Sequence, residues 1–119
     1  MVKVATSLGR SGLHDWLIQR LSAVVMLAYV LYLLGYLIGA YMVQPELSFG
    51  LWQGFFARPV VKIASFLALL AVVSHAWIGI WTVFTDYVKP VAVRVVLQSL
   101  LIVTCLSLLF WGFSILWGV

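Results

Sequence analysis

Ten charged residues divide this chain into long apolar blocks. Lys3, Arg10, Asp15 and Arg20 precede the first block. Glu46, Arg58 and Lys62 separate it from the second, and Asp86, Lys89 and Arg94 separate the second from the third. The intervening runs 21–45, 63–85 and 95–119 are each 23 to 25 residues long and carry no formal charge. At about 1.5 Å per residue, each is long enough as a helix to cross a hydrocarbon core of about 30 Å. The pattern predicts an all-α membrane protein with three transmembrane helices, near 17–42, 60–86 and 91–117, in a single domain spanning 1–119.

The connections are short. The first, 43–61, contains Gln44-Pro45-Glu46 and then Ser48–Ala57, where Phe49, Trp52, Phe55 and Phe56 accompany two glycines. That composition suits a re-entrant or interface-lying stretch. Pro59 is placed to open the second span at its first helical position. In the second connection, Asp86-Tyr87-Val88-Lys89-Pro90, Pro90 interrupts helical hydrogen bonding and biases Lys89 towards an extended conformation. Spans two and three are therefore expected to be antiparallel neighbours.

Composition agrees. Of 119 residues 66% are hydrophobic and 8% charged, and mean hydropathy is +1.19. A soluble domain carries about 25% charged residues, so nothing remains here for a polar exterior. The first apolar run follows basic residues but exceeds the roughly 7–15 residues of a signal-peptide core and lacks a small-residue cleavage pattern, so it is expected to be retained. The net charge of +4 comes from residues flanking the spans, and so carries orientation information and predicts no nucleic-acid partner. Lys3, Arg10, Arg20, Lys89 and Arg94 fall on one side, against Arg58 and Lys62 on the other. The bias predicts a cytoplasmic N-terminus and a periplasmic C-terminus. Cys105 has no partner cysteine and is expected to fill space in the third span.

Three clusters carry candidate chemistry. His75 lies deep in the second span, where an imidazole is costly unless paired, hydrated or bound. A transmembrane histidine is also an ordinary ligand of haem iron. At 100° per residue, Ala64, Ala68, Ala71, Gly79 and Thr82 share its helix face. Small residues admit a flat macrocycle, and equally another helix with His75 hydrogen-bonded across the interface. Asp86 lies on the same face about 16 Å along the axis, next to Tyr87. A boundary hydroxyl beside a carboxylate meets the needs of quinone reduction, although aromatic belts produce the same pair. The third cluster is Arg10-Ser-Gly-Leu-His14-Asp15-Trp16 with Arg20. Arg20 suits either snorkelling to lipid phosphate or pairing with a carboxylate such as a haem propionate. His14 and Asp15 suit either that same surface or a solvated interfacial turn.

Taken together, these motifs resemble a known family. Leu8-Gly-Arg-Ser-Gly-Leu-His-Asp15, Ser74-His-Ala-Trp-Ile-Gly-Ile-Trp81 and Thr85-Asp-Tyr-Val-Lys-Pro90 resemble the small hydrophobic membrane anchors of bacterial succinate dehydrogenase (succinate:quinone oxidoreductase, complex II). The ending Leu116-Trp-Gly-Val119 looks like the enterobacterial-type members. The resemblance implies that His75 is one axial ligand of haem b iron, the other coming from a companion membrane anchor. It implies that Tyr87 hydrogen-bonds ubiquinone with Asp86 beside it, and that Arg20 and His14 lie near the haem propionates. It further implies an iron–sulfur subunit and a flavoprotein subunit as partners, a bacterial inner membrane location, and assembly as a trimer of heterotetramers. The chain alone, lacking any loop able to hold flavin or iron–sulfur clusters, is not expected to oxidise succinate. The competing expectations are a fumarate reductase anchor using menaquinone and a cofactor-free assembly or packing protein.

Overall fold

The structure is a computed structural model that describes residues 12–46 and 48–118. Four helices follow in order: α1 Gly12–Val43, α2 Phe49–Ala57, α3 Pro59–Tyr87 and α4 Val91–Trp117. No strand occurs among the described residues. Helices α1, α3 and α4 are each long and apolar enough to span a membrane. The molecule is a rod of 59 × 25 × 21 Å.

Helix α3 is the spine, with α1 and α4 packed antiparallel along it. Contacts pair Ser22 with His75 and Tyr29 with Ser65 on the α1 side. On the other side Val73 packs with Leu101 and Cys105, and Phe66 meets Phe113 and Trp117 edge-on. The expected antiparallel pairing of the last two spans is thus present, and Cys105 fills space in their seam. The outward faces of α1 and α4 expose rows of apolar side chains, including Leu21, Leu31, Ile38, Leu100, Leu106 and Phe110. In a bilayer these rows meet lipid or another subunit.

Prolines and caps set the boundaries. Pro59 opens α3, and Val88, in extended conformation, closes it by donating its N–H to the Phe84 carbonyl. Pro90 then caps the start of α4. The aromatic stretch in the first connection is a nine-residue helix, α2, whose Leu51 N–H is accepted by the Ser48 hydroxyl. Its Phe55 is 1% exposed and stacks on Tyr36 with ring centroids 3.9 Å apart. This aromatic wedge fixes α2 across the end of the α1–α3 pair. Helix α1 begins at Gly12, ahead of the 17 expected from the charge pattern. Residues 12–16 are therefore helical rather than a turn. Asp15 sits in the first turn, where a carboxylate is favoured by the helix dipole.

Close packing, not hydrogen bonding, holds the bundle. Interhelical hydrogen bonds in membranes average about 0.6 kcal/mol, so the Ser22–His75 and Tyr29–Ser65 bonds contribute little more than about 1 kcal/mol together. Small residues contribute by letting helices approach. Ala68 and Ala71 are buried on α3, and a Cβ added to Gly112 of α4 would overlap the Leu69 side chain. We expect Gly112→Val to destabilise the α3–α4 pair by about 1–3 kcal/mol, the usual cost of overpacking. Detergent or thermal denaturation checks this, and trimming the opposing side chain by Leu69→Ala should return part of the loss. Unchanged stability in Gly112→Val would show that Leu69 moves aside freely.

Candidate functional site

A lane of polar side chains runs between two apolar helices. On α1, Asp15, Gln19, Ser22 and Tyr29 recur at intervals of four, three and seven residues, which places them on one face. That face meets α3. Asp15 is 7% and Ser22 4% exposed despite being charged or polar. Ser22 Oγ lies 3.0 Å from His75 Nδ1 and 3.1 Å from the Gln19 carbonyl oxygen. One turn from His75, a Cβ added to Gly79 would lie 3.8 Å from Gln19 Nε2. Gly79 thus gives the Gln19 amide room against α3, and Gln19 Oε1 is buried without a hydrogen-bond partner among the described residues. Below this level the Tyr29 and Ser65 hydroxyls bond to each other.

His75 therefore stands where two readings of its face meet. The small-residue face of α3 is used for helix packing, with α1 as the neighbour. The imidazole is nevertheless only half-buried, and its contact with Ser22 involves a single ring nitrogen. Packing and ligand binding are compatible on these terms, because Nε2 is left for a second partner.

The other candidates stand apart from His75 within this chain. Arg20 is two residues from Ser22, which rotates it roughly 160° away around α1. It is exposed and lies over the Trp16 ring at 5.7 Å. His14 is itself exposed in the first turn of α1, with Nδ1 3.8 Å from Oδ1 of the buried Asp15. Asp86 and Tyr87 end α3, both exposed, and Lys89 Nζ donates to the Asp86 carbonyl at 3.4 Å. Tyr87 is 75% exposed. Among the described residues no three ligating side chains gather into a metal cluster.

Ser22 and Gln19 are not singled out by the charge and hydropathy pattern. The signal that marks them is the helical recurrence of polar residues on α1, continued by the small face around His75 on α3. In a membrane bundle, small and polar residues rather than apolar ones identify the buried seams.

Fold and site together define a class. The chain is a polytopic subunit that carries one deep imidazole, and its exposed chemistry lies at the helix ends, as in a piece of a larger assembly. A family model described as "Succinate dehydrogenase/Fumarate reductase transmembrane subunit" matches residues 3–113. The chain belongs to this family, and is accordingly a multi-pass inner-membrane subunit of an oxidoreductase complex. The succinate dehydrogenase hydrophobic membrane anchor subunit of Coxiella burnetii (strain RSA 493 / Nine Mile phase I) is 32% identical over 108 residues, covering 91% of this chain and 90% of that protein. The subunit of the same name in Rickettsia bellii (strain RML369-C) is 27% identical over 84 residues, covering 71% of this chain and 64% of that protein.

Proposed function

We propose that this chain is the anchor of a succinate dehydrogenase that gives one axial ligand to haem b and helps bind ubiquinone. The observation that carries the reading is the engagement of His75 Nδ1 by Ser22 at 3.0 Å. A ligating histidine commonly bonds a polar partner through its other ring nitrogen, which fixes the ring. His75 has that partner, and it is the histidine lying deep in a span. The residues present fit the group, and His75 would hold its iron through Nε2, the nitrogen that Ser22 does not engage. Bound in such a site, haem supplies a one-electron redox centre. Arg20, on the uncovered face of α1, and His14 at its first turn are the cations offered to the propionates, the guanidinium fork matching a carboxylate.

Quinone chemistry falls to the end of α3. The Tyr87 hydroxyl donates a hydrogen bond to a ubiquinone carbonyl oxygen, and Asp86 beside it supplies proton-exchange capacity at the same boundary. Electrons reach the quinone from succinate through the flavoprotein and iron–sulfur subunits, which this chain anchors. The α1 N-terminus, the α3 C-terminus and the α4 N-terminus share one end of the rod, which carries Arg20, Lys89 and Arg94. The positive-inside bias makes that end cytoplasmic, facing the soluble subunits.

A second histidine for the haem iron would come from the companion membrane anchor. His14 precedes Ser22, which marks the level of His75, by eight residues, about 12 Å along the α1 axis. It therefore cannot reach the same iron. Mild detergent extraction should yield this chain with a companion anchor, an iron–sulfur subunit and a flavoprotein, and a reducible b-type spectrum. Expressed by itself, the chain should hold no stable six-coordinate low-spin haem. Low-spin haem in the isolated polypeptide, or purification of the native chain without those partners, would overturn this reading.

A further inference from the structure

We propose that Ser22 is a positioning residue that holds His75 in its Nδ1–H tautomer and so presents Nε2 with its lone pair outward. The inference rests on the reading of His75 as a haem ligand and adds the group that prepares it. The Ser22 hydroxyl has one proton and two acceptor lone pairs. Two acceptors compete for that proton, the Gln19 carbonyl at 3.1 Å and His75 Nδ1 at 3.0 Å. A serine within a helix routinely donates back to a carbonyl of the preceding turn. With its proton on the Gln19 carbonyl, Oγ can only accept from His75, so Nδ1 must carry hydrogen. The proton of the neutral ring is then fixed away from Nε2.

Burial strengthens the arrangement. Ser22 is 4% exposed, so water cannot readily replace the hydroxyl, and the low-dielectric seam penalises an unpaired N–H. The backbone of α1 thus acts on a side chain of α3 in a relay of two hydrogen bonds, from His75 to Ser22 to the Gln19 carbonyl. Accepting from Nδ1–H pushes electron density onto the imidazole and strengthens Nε2 as an electron-pair donor to iron. A stronger donor favours ferric over ferrous iron. Ser22 therefore lowers the reduction potential of the centre in addition to orienting the ring.

The test compares Ser22→Ala and Ser22→Thr in the intact, haem-loaded complex by equilibrium redox titration and by electron paramagnetic resonance of the ferric state. Ser22→Ala should weaken ferric relative to ferrous ligation about tenfold, which for a one-electron couple is an upward shift of about 59 mV. Threonine keeps the hydroxyl and should return the potential and the ferric signal to those of the native complex. Loss of haem in Ser22→Ala with retention in Ser22→Thr supports the same assignment. A native potential and ferric spectrum in Ser22→Ala overturns it, as does equal disturbance by both substitutions, which would make Ser22 a packing residue. These outcomes are separate from the fate of the ligand reading, which fails only if His75→Ala keeps native low-spin haem.

Discussion

Replacing His75 by alanine should abolish native low-spin haem in the assembled complex while the three spanning helices still insert. Insertion is expected to survive because alanine is easier to place at the centre of a bilayer than histidine. The helix packing is also expected to survive. The substitution removes one interhelical hydrogen bond, to Ser22, worth about 0.6 kcal/mol, and leaves the Ser22 hydroxyl its bond to the Gln19 carbonyl. The small neighbours Ala71 and Gly79 already suit close approach of α1. Loss of a direct ligand should exceed the roughly 10–100-fold effect on metal affinity seen when only an outer partner is removed. The measurement is haem per complex together with the spin state of what remains. Water taking the vacant position would give high-spin haem at lower occupancy. Native stoichiometry with an unchanged low-spin spectrum would dismiss His75 as ligand and leave it a packing residue bonded to Ser22.

Much of the architecture is legible in the sequence because a bilayer simplifies the problem. Charged residues mark the span ends, and Pro59 and Pro90 mark where α3 and α4 begin. Helix α1 is the exception, since Gly12–Trp16 combines a histidine and an aspartate with apolar residues and so does not look like part of a span. Its helical state follows from local geometry, with Asp15 placed in the first turn and then buried. The packing of α1 on α3 is harder to read. When a helix is apolar all round, the usual contrast between wet and dry faces disappears. The seam is written instead in Gln19, Ser22 and Tyr29, set against Ala68, Ala71, His75 and Gly79.

The candidate site divides in the same way. His75 is conspicuous because few reasons exist for an imidazole at that depth. Its relation to Ser22 depends on the rotation of two helices about their axes, which periodicity leaves open. Arg20, His14, Asp86 and Tyr87 are visible as residue types but do not converge within one chain. Arg20 turns away from His75, and Tyr87 lies at the C-terminal end of α3, about 18 Å along the axis from His75. These four side chains lie on the outer surface of the chain, open to whatever packs against it in the assembled complex.

Tyr87→Phe should sharply lower electron transfer to ubiquinone while succinate oxidation with a soluble artificial acceptor continues nearly unchanged. The substitution removes one hydroxyl and keeps the ring, so the aromatic contact at the membrane boundary persists. Tyr87 is 75% exposed in this chain, so the fold has little to lose. As a simple hydrogen bond to a neutral carbonyl, the hydroxyl is worth about 0.5–1.5 kcal/mol of quinone affinity. Reduction places negative charge on that oxygen, and a donor aimed at developing charge contributes more, on the order of 10²–10³ in rate in well-organised sites. The boundary position of Tyr87 admits water, so we expect the fall in turnover to lie at or below the lower end of that range, with a smaller rise in KM. Asp86→Asn, one residue away, should instead slow turnover while leaving quinone affinity near native, because the amide still offers polarity but no longer exchanges protons. Equal loss of quinone and artificial-acceptor activity in Tyr87→Phe would mean that the soluble subunits no longer dock at this end. Native quinone turnover and affinity would return Tyr87 to the role of an interfacial anchor.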